Sequence, residues 1–410
     1  MIRALTVLVA AACGVTAQTD AGLDLWVRVR EHIRATAAQL PNYSCQEIME
    51  RSIQSSGGQI EFRERLRLEV LFAETTELFA WPGSSEFTPE PLQNWIVAGA
   101  IGNGDFAIEL VNLFVRSTAT VKYAGIETRD RRALHRFNFQ VPLLSSRYTL
   151  AVHGKTAITA YAGSFWVDQE SLDTVRLESR AEAIPAELDC SVAHQFVTYG
   201  RVRLGIGDRL LPSSGELSIV TRDGHESRNT IAFNNCRQYG ASSALSFTTT
   251  PDLAEPATTQ HQPAVPADVV LVLRLEQPIS VAESAAGDPI EARLDKAVKA
   301  GGVLLPKGTR VHGRIRRLEQ HLNSPASILV GLQFFAAETP GGFITFSARL
   351  TGPRATPGTM QVFNNRFESV PGAVGLDIQD DGAKTGVGSF RVPGQKLPIG
   401  RDFRTVWKTQ

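Results

Sequence analysis

The stretch 301-GGVLLPKGTRVHGRIRR-317 gathers Arg310, His312, Arg314, Arg316 and Arg317 into eight positions, and how that cluster is read decides the fold. It could be a nucleic-acid patch, an active-site loop or a piece of β-sheet. Pro306-Lys307-Gly308 is a turn signal, because Pro fixes φ and Gly tolerates a positive one. Beyond the turn, Arg310, His312, Arg314 and Arg316 occupy even positions, and Thr309, Val311, Gly313 and Ile315 odd ones. A period of two sends alternate side chains to opposite faces. The stretch therefore predicts a half-buried strand, with Val311 and Ile315 toward a core and a cationic face toward solvent. No aromatic residues are interleaved to stack bases, so no nucleic-acid partner is expected. An anionic polysaccharide or lipid headgroup would suit such a face.

The same alternation recurs upstream. In Arg65-Leu66-Arg67-Leu68-Glu69-Val70 the apolar and charged side chains separate by face, and Arg176, Glu178, Arg180 and Glu182 alternate with Val175, Leu177, Ser179 and Ala181. These read as antiparallel strands with one buried side. Residues 190 to 240 read as three consecutive strands. Leu25, Val29, Ile33 and Leu40 fit one face of a helix ending before Pro41. A helical patch interrupts the strands, with Thr88 as N-cap for Pro89 to Ala98 and Asp105 for Phe106 to Phe114. Residues 248–267, rich in Thr, Pro and Ala, carry no apolar period and read as a linker. The expected fold is mainly β with a few helices, in two domains. A curled antiparallel sheet, or half-barrel, packed on helices spans 21–247, and a small β-barrel or sandwich spans 268–352. Residues 353–410 are Gly-rich and are expected to be irregular, with a short last strand near Phe403 to Trp407.

Lys plus Arg equals Asp plus Glu at 42 each, which argues against binding nucleic acid or anionic membrane by bulk charge. The N-terminus, MIRALTVLVAAACGVTAQ, has a basic start, a short apolar core and small residues, and predicts a secretory signal over 1–17. Val9 to Cys13 also resembles a lipobox, in which Cys13 would be lipidated, although Ala10 stands where Leu is usual. No later segment reaches the roughly 20 apolar residues of a membrane-spanning helix. Cleavage at 17 leaves Cys45, Cys190 and Cys236 in a compartment where disulfides persist. The strand reading puts Cys190 and Cys236 at opposite ends of a sheet, which leaves Cys45–Cys236 as one expectation and no bridge as the other.

Two family resemblances follow from particular residues. Gly287-Asp288-Pro289-Ile290-Glu291-Ala292-Arg293-Leu294, then Pro306-Lys307-Gly308-Thr309-Arg310-Val311-His312-Gly313, resembles the β-barrel domain of TrbI-type conjugation and type IV secretion proteins over about residues 268 to 352. The resemblance implies a barrel and an envelope setting. The chain lacks the cytoplasmic tail and inner-membrane helix of that family, which sets a pore-forming role aside. The first half, with its N-terminal helix and Gly163-Ser164-Phe165-Trp166-Val167-Asp168, is similar to the periplasmic lipoprotein-carrier (LolA/LolB-like) half-barrel. That resemblance implies a cavity for acyl chains, with Phe79, Trp81, Phe87, Trp95, Phe106, Phe114, Phe165 and Trp166 as its candidate lining. The plain alternative is that these aromatics fill a core.

Catalytic signatures are missing from the text. The histidines form no short metal spacing, and neither a nucleophile elbow nor a phosphate loop occurs. Neither a cofactor nor a metal is expected. The sequence reads as an exported, periplasmic or outer-membrane-associated, non-enzymatic envelope protein. It would bind a lipid or acylated ligand, or act as an assembly module docking on envelope proteins. A hydrolase assembled from distant residues is the third reading.

Overall fold

In a computed structural model of the protein, the described residues are 20–73, 76–84, 86–89, 92, 95, 109–116, 118–239, 265–354, 377–379, 386–397 and 399–410. The expected signal sequence, Cys13, Phe106, most of the linker and most of the Gly-rich segment lie outside them.

Helix α1 (Asp20–Ala38) comes first, followed by β1 (Tyr43–Gln54), β2 (Ile60–Ala73) and β3 (Thr76–Ala80). A short helical stretch, Glu109–Val111, then runs into a π-turn over Asn112–Arg116. The first half continues with β4 (Thr120–Arg129), β5 (Arg132–Val141), β6 (Thr149–Val152), β7 (Lys155–Ile158), β8 (Ala160–Asp168), β9 (Thr174–Glu182), β10 (Cys190–Leu204), β11 (Gly207–Thr221) and β12 (Glu226–Gln238). The second half holds β13 (Val270–Leu275), β14 (Pro289–Leu294), β15 (Val298–Ala300), β16 (Val303–Leu305), β17 (Arg310–His321), β18 (Ser327–Thr339), β19 (Gly342–Thr345), β20 (Ala348–Arg354), β21 (Asp377–Gln379), β22 (Val387–Pro393) and β23 (Arg404–Thr409).

The protein is mainly β, as the two-residue period predicts, and every strand ladder is antiparallel. In the first half the strands pair in the order β4-β5-β8-β9-β10-β11-β12-β1-β2-β3. Nearly every neighbour in space is a neighbour in sequence, because short turns make hairpins the cheapest pairing. One apolar core forms on the inner face, holding Leu68, Phe137, Phe165, Val197 and Leu217. Val29 and Ile33 of α1, four apart, bury the stripe of the helix in that core. Cys45 and Cys236 are joined by a disulfide near the start of β1 and the end of β12, and Cys190 is a buried thiol.

The second half pairs in the order β20-β23-β13-β14-β17-β18-β22-β21, with β19 on β18. A separate core is built around Trp407, Phe334 and Phe390. The sheet coils strongly but does not close. Among the described residues no ladder joins β20 to β22, so the small barrel expected here is an open one. At Gly388 on β22 a Cβ would stand 2.2 Å from Leu350 Cβ on β20 and 2.7 Å from the Trp407 ring. The irregular end expected from 353 onward is corrected by β22 and β23. β22 pairs along seven residues of β18, and the last strand runs over Arg404–Thr409. The end of the expected linker also belongs to this half: Val265 is buried, and the Pro266 carbonyl accepts a 2.5 Å hydrogen bond from Thr409 Oγ1.

The two halves share a sheet. β2 pairs with β17 through Glu64↔Glu319, Arg63↔Gln320 and Phe62↔His321. Backbone bonds from Arg67 N to Ala286 O (2.8 Å) and from Ala286 N to Arg65 O (2.9 Å) continue the join.

Candidate functional site

The basic face of β17 is where structure and sequence part. Val311 and Ile315 face the second core, as the period predicts. The other face was expected to meet solvent, yet His312 is 2% exposed and Arg314 0% exposed. The first half covers the end of this face around Arg314 and Arg316, and Glu338 and Phe343 of the second half cover His312. Arg314 Nη1 donates to the carbonyls of Pro82 (2.9 Å) and Gly287 (2.8 Å), one from each half. The Arg316 guanidinium lies 4.6 Å from the Trp81 ring centroid and donates to Gln333 Oε1 at 2.7 Å. His312 Nε2 lies 2.8 Å from Glu338 Oε1, and Arg310 also reaches Glu338. While Arg310 pairs with Glu276, Glu291 and Glu338 of its own half, the Arg314–Arg316 end of the expected cationic face is therefore a docking seam. Gly287, whose φ is +104°, is essential to it, because a Cβ there would meet the Arg67 carbonyl oxygen at 2.0 Å. Arg67 itself pairs with Asp288.

Beside the seam lies a groove of about 510 Å³. Its floor is the outer face of the β1–β2 hairpin and of β17 beside it, with Ser52, Arg63, Arg65 and Gln320, and its wall comes from Val281, Ala282 and Ser284 of the second half. Arg65 is held by Glu50 (2.8 Å) and by the Ala282 carbonyl (2.6 Å). Deeper in, Arg51 and Glu64 form a buried 2.5 Å pair. Next to it, Arg317 and His321 hold Glu319 at 2.6 and 3.1 Å. Burial pushes the Glu319 carboxyl up, but these two hydrogen bonds outweigh it and leave its pKa lowered.

The second candidate is the inner face of the first sheet. Trp26 of α1 packs 5.5 to 5.9 Å from Phe114, Phe137 and Phe165, and Phe137 stacks on Phe165 at 5.0 Å. Between α1 and the sheet a cavity of about 30 Å³ remains, lined by Ile33, Ala37, Leu40, Tyr43, Tyr199 and Leu210 among others. That is room for about one water molecule. One polar tie fixes the helix across its mouth. His32 Nε2 lies 2.9 Å from Asp173 Oδ1, and Arg201 donates to both Asp173 oxygens at 2.7 and 2.9 Å. Burial raises the Asp173 pKa, and the bonds from Arg201 and His32 more than offset this and lower it.

The seven candidate aromatics among the described residues do not share one chamber. Phe114 and Phe165 meet inside at 4.6 Å. Trp166, next to Phe165 on β8, points to the opposite face, where Arg129 covers it at 4.2 Å. Trp81 and Trp95 pair at 4.6 Å close to the seam, and Phe87 meets Tyr239 at 5.7 Å. Phe79 is buried on β3, two residues from Trp81. Sequence reading missed Glu47, which is buried on the inner face with its carboxyl pushed up to about 8 by desolvation. Its odd position on β1, in step with Cys45 and Met49, was the available signal. Among the described residues no group of His, Cys, Asp and Glu is arranged to hold a metal ion, and no helix is long and apolar enough to cross a membrane.

No family model matches the chain, and no curated protein matches it. Among solved structures it is similar to an outer membrane lipoprotein-sorting protein domain from Vibrio parahaemolyticus, at 9% identity and a TM-score of 0.30, over 56% of this chain and 95% of that one. It is also similar to a DUF1329 family protein from Desulfovibrio piger, at 13% identity and a TM-score of 0.27, over 56% and 96%. Likeness at this level assigns neither a ligand nor a role.

Proposed function

We propose that the chain is an exported binding module of the cell envelope with no catalytic chemistry built in, and that its first half takes an apolar ligand, a lipid or acyl chain, between α1 and the inner face of the sheet. The observation that carries this reading is the apolar cavity beneath α1, whose polar tie to the sheet is His32–Asp173–Arg201. The cavity is too small for an acyl chain with α1 in place. Binding therefore requires the helix to swing outward, and a ligand favours that arrangement by its differential affinity. The Cys45–Cys236 disulfide supports an oxidising compartment. The test is native mass spectrometry of protein purified from an envelope extract, together with titration of a fluorescent fatty-acid analogue. Co-purified lipid and saturable uptake of the analogue are expected. A lipid-free protein that takes up none of the analogue would sink the reading.

A further inference from the structure

We propose that the groove between the two halves is a binding site for an oxyanion group, a phosphate or carboxylate carried by a small molecule, with Arg63 as its anchor. The register builds the site. Ser52 on β1 and Gln320 on β17 are the direct cross-strand partners of Arg63 on β2. Directly opposed residues share a face, so a hydroxyl, a guanidinium and a carboxamide stand in a row across three strands on the floor of a groove of about 510 Å³. All three side chains can donate hydrogen bonds. Among the described residues no hydrogen bond or ion pair engages the side chain of any of the three. The other charges of the groove are committed: Arg51 to Glu64, and Arg65 to Glu50. Arg63 is thus the surplus cation. On β12 the row continues to Arg228, the partner of Ser52, which is held by Glu226 at 2.7 Å. A planar guanidinium flanked by two further donors suits a two-oxygen acceptor, and charge-assisted bonds of this kind are the strong ones. The groove volume falls within the range of small-molecule sites, and Ile60, Val281 and Leu318 give a bound molecule an apolar side to lie on. Because Ser52 and Arg63 come from one half and Gln320 from the other, an occupant would bridge the halves and stabilise their docking.

The test is isothermal titration of the full-length protein with inorganic phosphate and, separately, with citrate at low ionic strength. Each titration is run on the wild type, on Arg63→Gln, and on Lys122→Gln as a distant exposed control. Saturable binding of either probe is expected, weakened about tenfold or more in Arg63→Gln and unchanged in the control. The probe that binds names the class of oxyanion. Gln320→Ala, which leaves the β2–β17 backbone ladder in place, should weaken the same probe by a smaller factor. No saturable binding of either probe up to about 10 mM, or equal binding by wild type and Arg63→Gln, overturns the proposal.

Discussion

Arg314 offers the sharpest test of how the halves are joined. Its side chain is fully buried and ties the Pro82 carbonyl of the first half to the Gly287 carbonyl of the second. Arg314→Met keeps the length and most of the volume of the stem but removes the donors. Each carbonyl left buried without its partner costs about 1–3 kcal/mol, or about 2–6 kcal/mol for the two. Part of this is recovered, because a buried charge no longer has to be kept out of water. The net loss should be about 3 kcal/mol, on the order of a hundredfold in the folding equilibrium. Arg314→Ala should lose more, since it also empties the space of the stem. Arg316→Met is the internal contrast: this half-buried side chain stacks on Trp81, and its loss should cost about 1 kcal/mol. Urea titration followed by circular dichroism and tryptophan fluorescence reads all three, the fluorescence being weighted to the first half, which holds four of the five tryptophans. If the seam weakens first, the two signals should separate into two transitions. An Arg314→Met midpoint within about 0.5 kcal/mol of wild type, with coincident signals, would refute the claim that this guanidinium holds the halves together.

The Cys45–Cys236 bridge spans 191 positions, so chain entropy alone gives it about 5 kcal/mol as an upper figure; a reduced or Cys236→Ser protein should lose about 2–5 kcal/mol in denaturant titration. Glu47 has a raised folded-state pKa of about 8, so the folded protein holds a proton that the unfolded chain releases at the ordinary carboxylate value. Its contribution is therefore present at low pH and lost as pH climbs to about 8; Glu47→Gln should flatten the melting temperature between pH 5 and 8 and gain a few kcal/mol at pH 8, and an unchanged slope would count against this. Asp173 is the opposite case, with a lowered pKa, so its hold on His32 and Arg201 is present above the ordinary carboxylate value and lost as pH falls through the lowered one. Asp173→Asn should speed amide hydrogen exchange in α1 at neutral pH, and protection equal to wild type would show that the tie does not hold the helix.

Much of the frame was legible from local pattern. The strand period placed β10 to β12 and the face of Leu66 and Leu68, and the four-residue spacing placed Val29 and Ile33 on α1, because each rule needs only neighbouring residues. The burial of His312 and Arg314 was not legible. Arg314 is tied to Pro82, more than 200 positions earlier in the chain, and His312 is covered by Glu338 and Phe343 from elsewhere in its own sheet, and no periodicity reports on either contact. The Ser52–Arg63–Gln320 row was hidden for the same reason, since it exists only in the register between β2 and β17. The split between Phe165 and Trp166 could have been foreseen, because adjacent strand residues cannot line one chamber. β22 escaped because Gly386 and Gly388 read as breakers, whereas Gly388 is the small residue that lets this strand lie against Trp407.

Because β2 and β17 belong to one hydrogen-bonded sheet, the connection through 240–264 is not what sets where the halves stand. A protease nick there should give two fragments that travel together through gel filtration and part only in denaturant. The covalent thread would then be dispensable for cohesion, leaving evolution and the protein engineer the same freedom to lengthen, shorten or replace it.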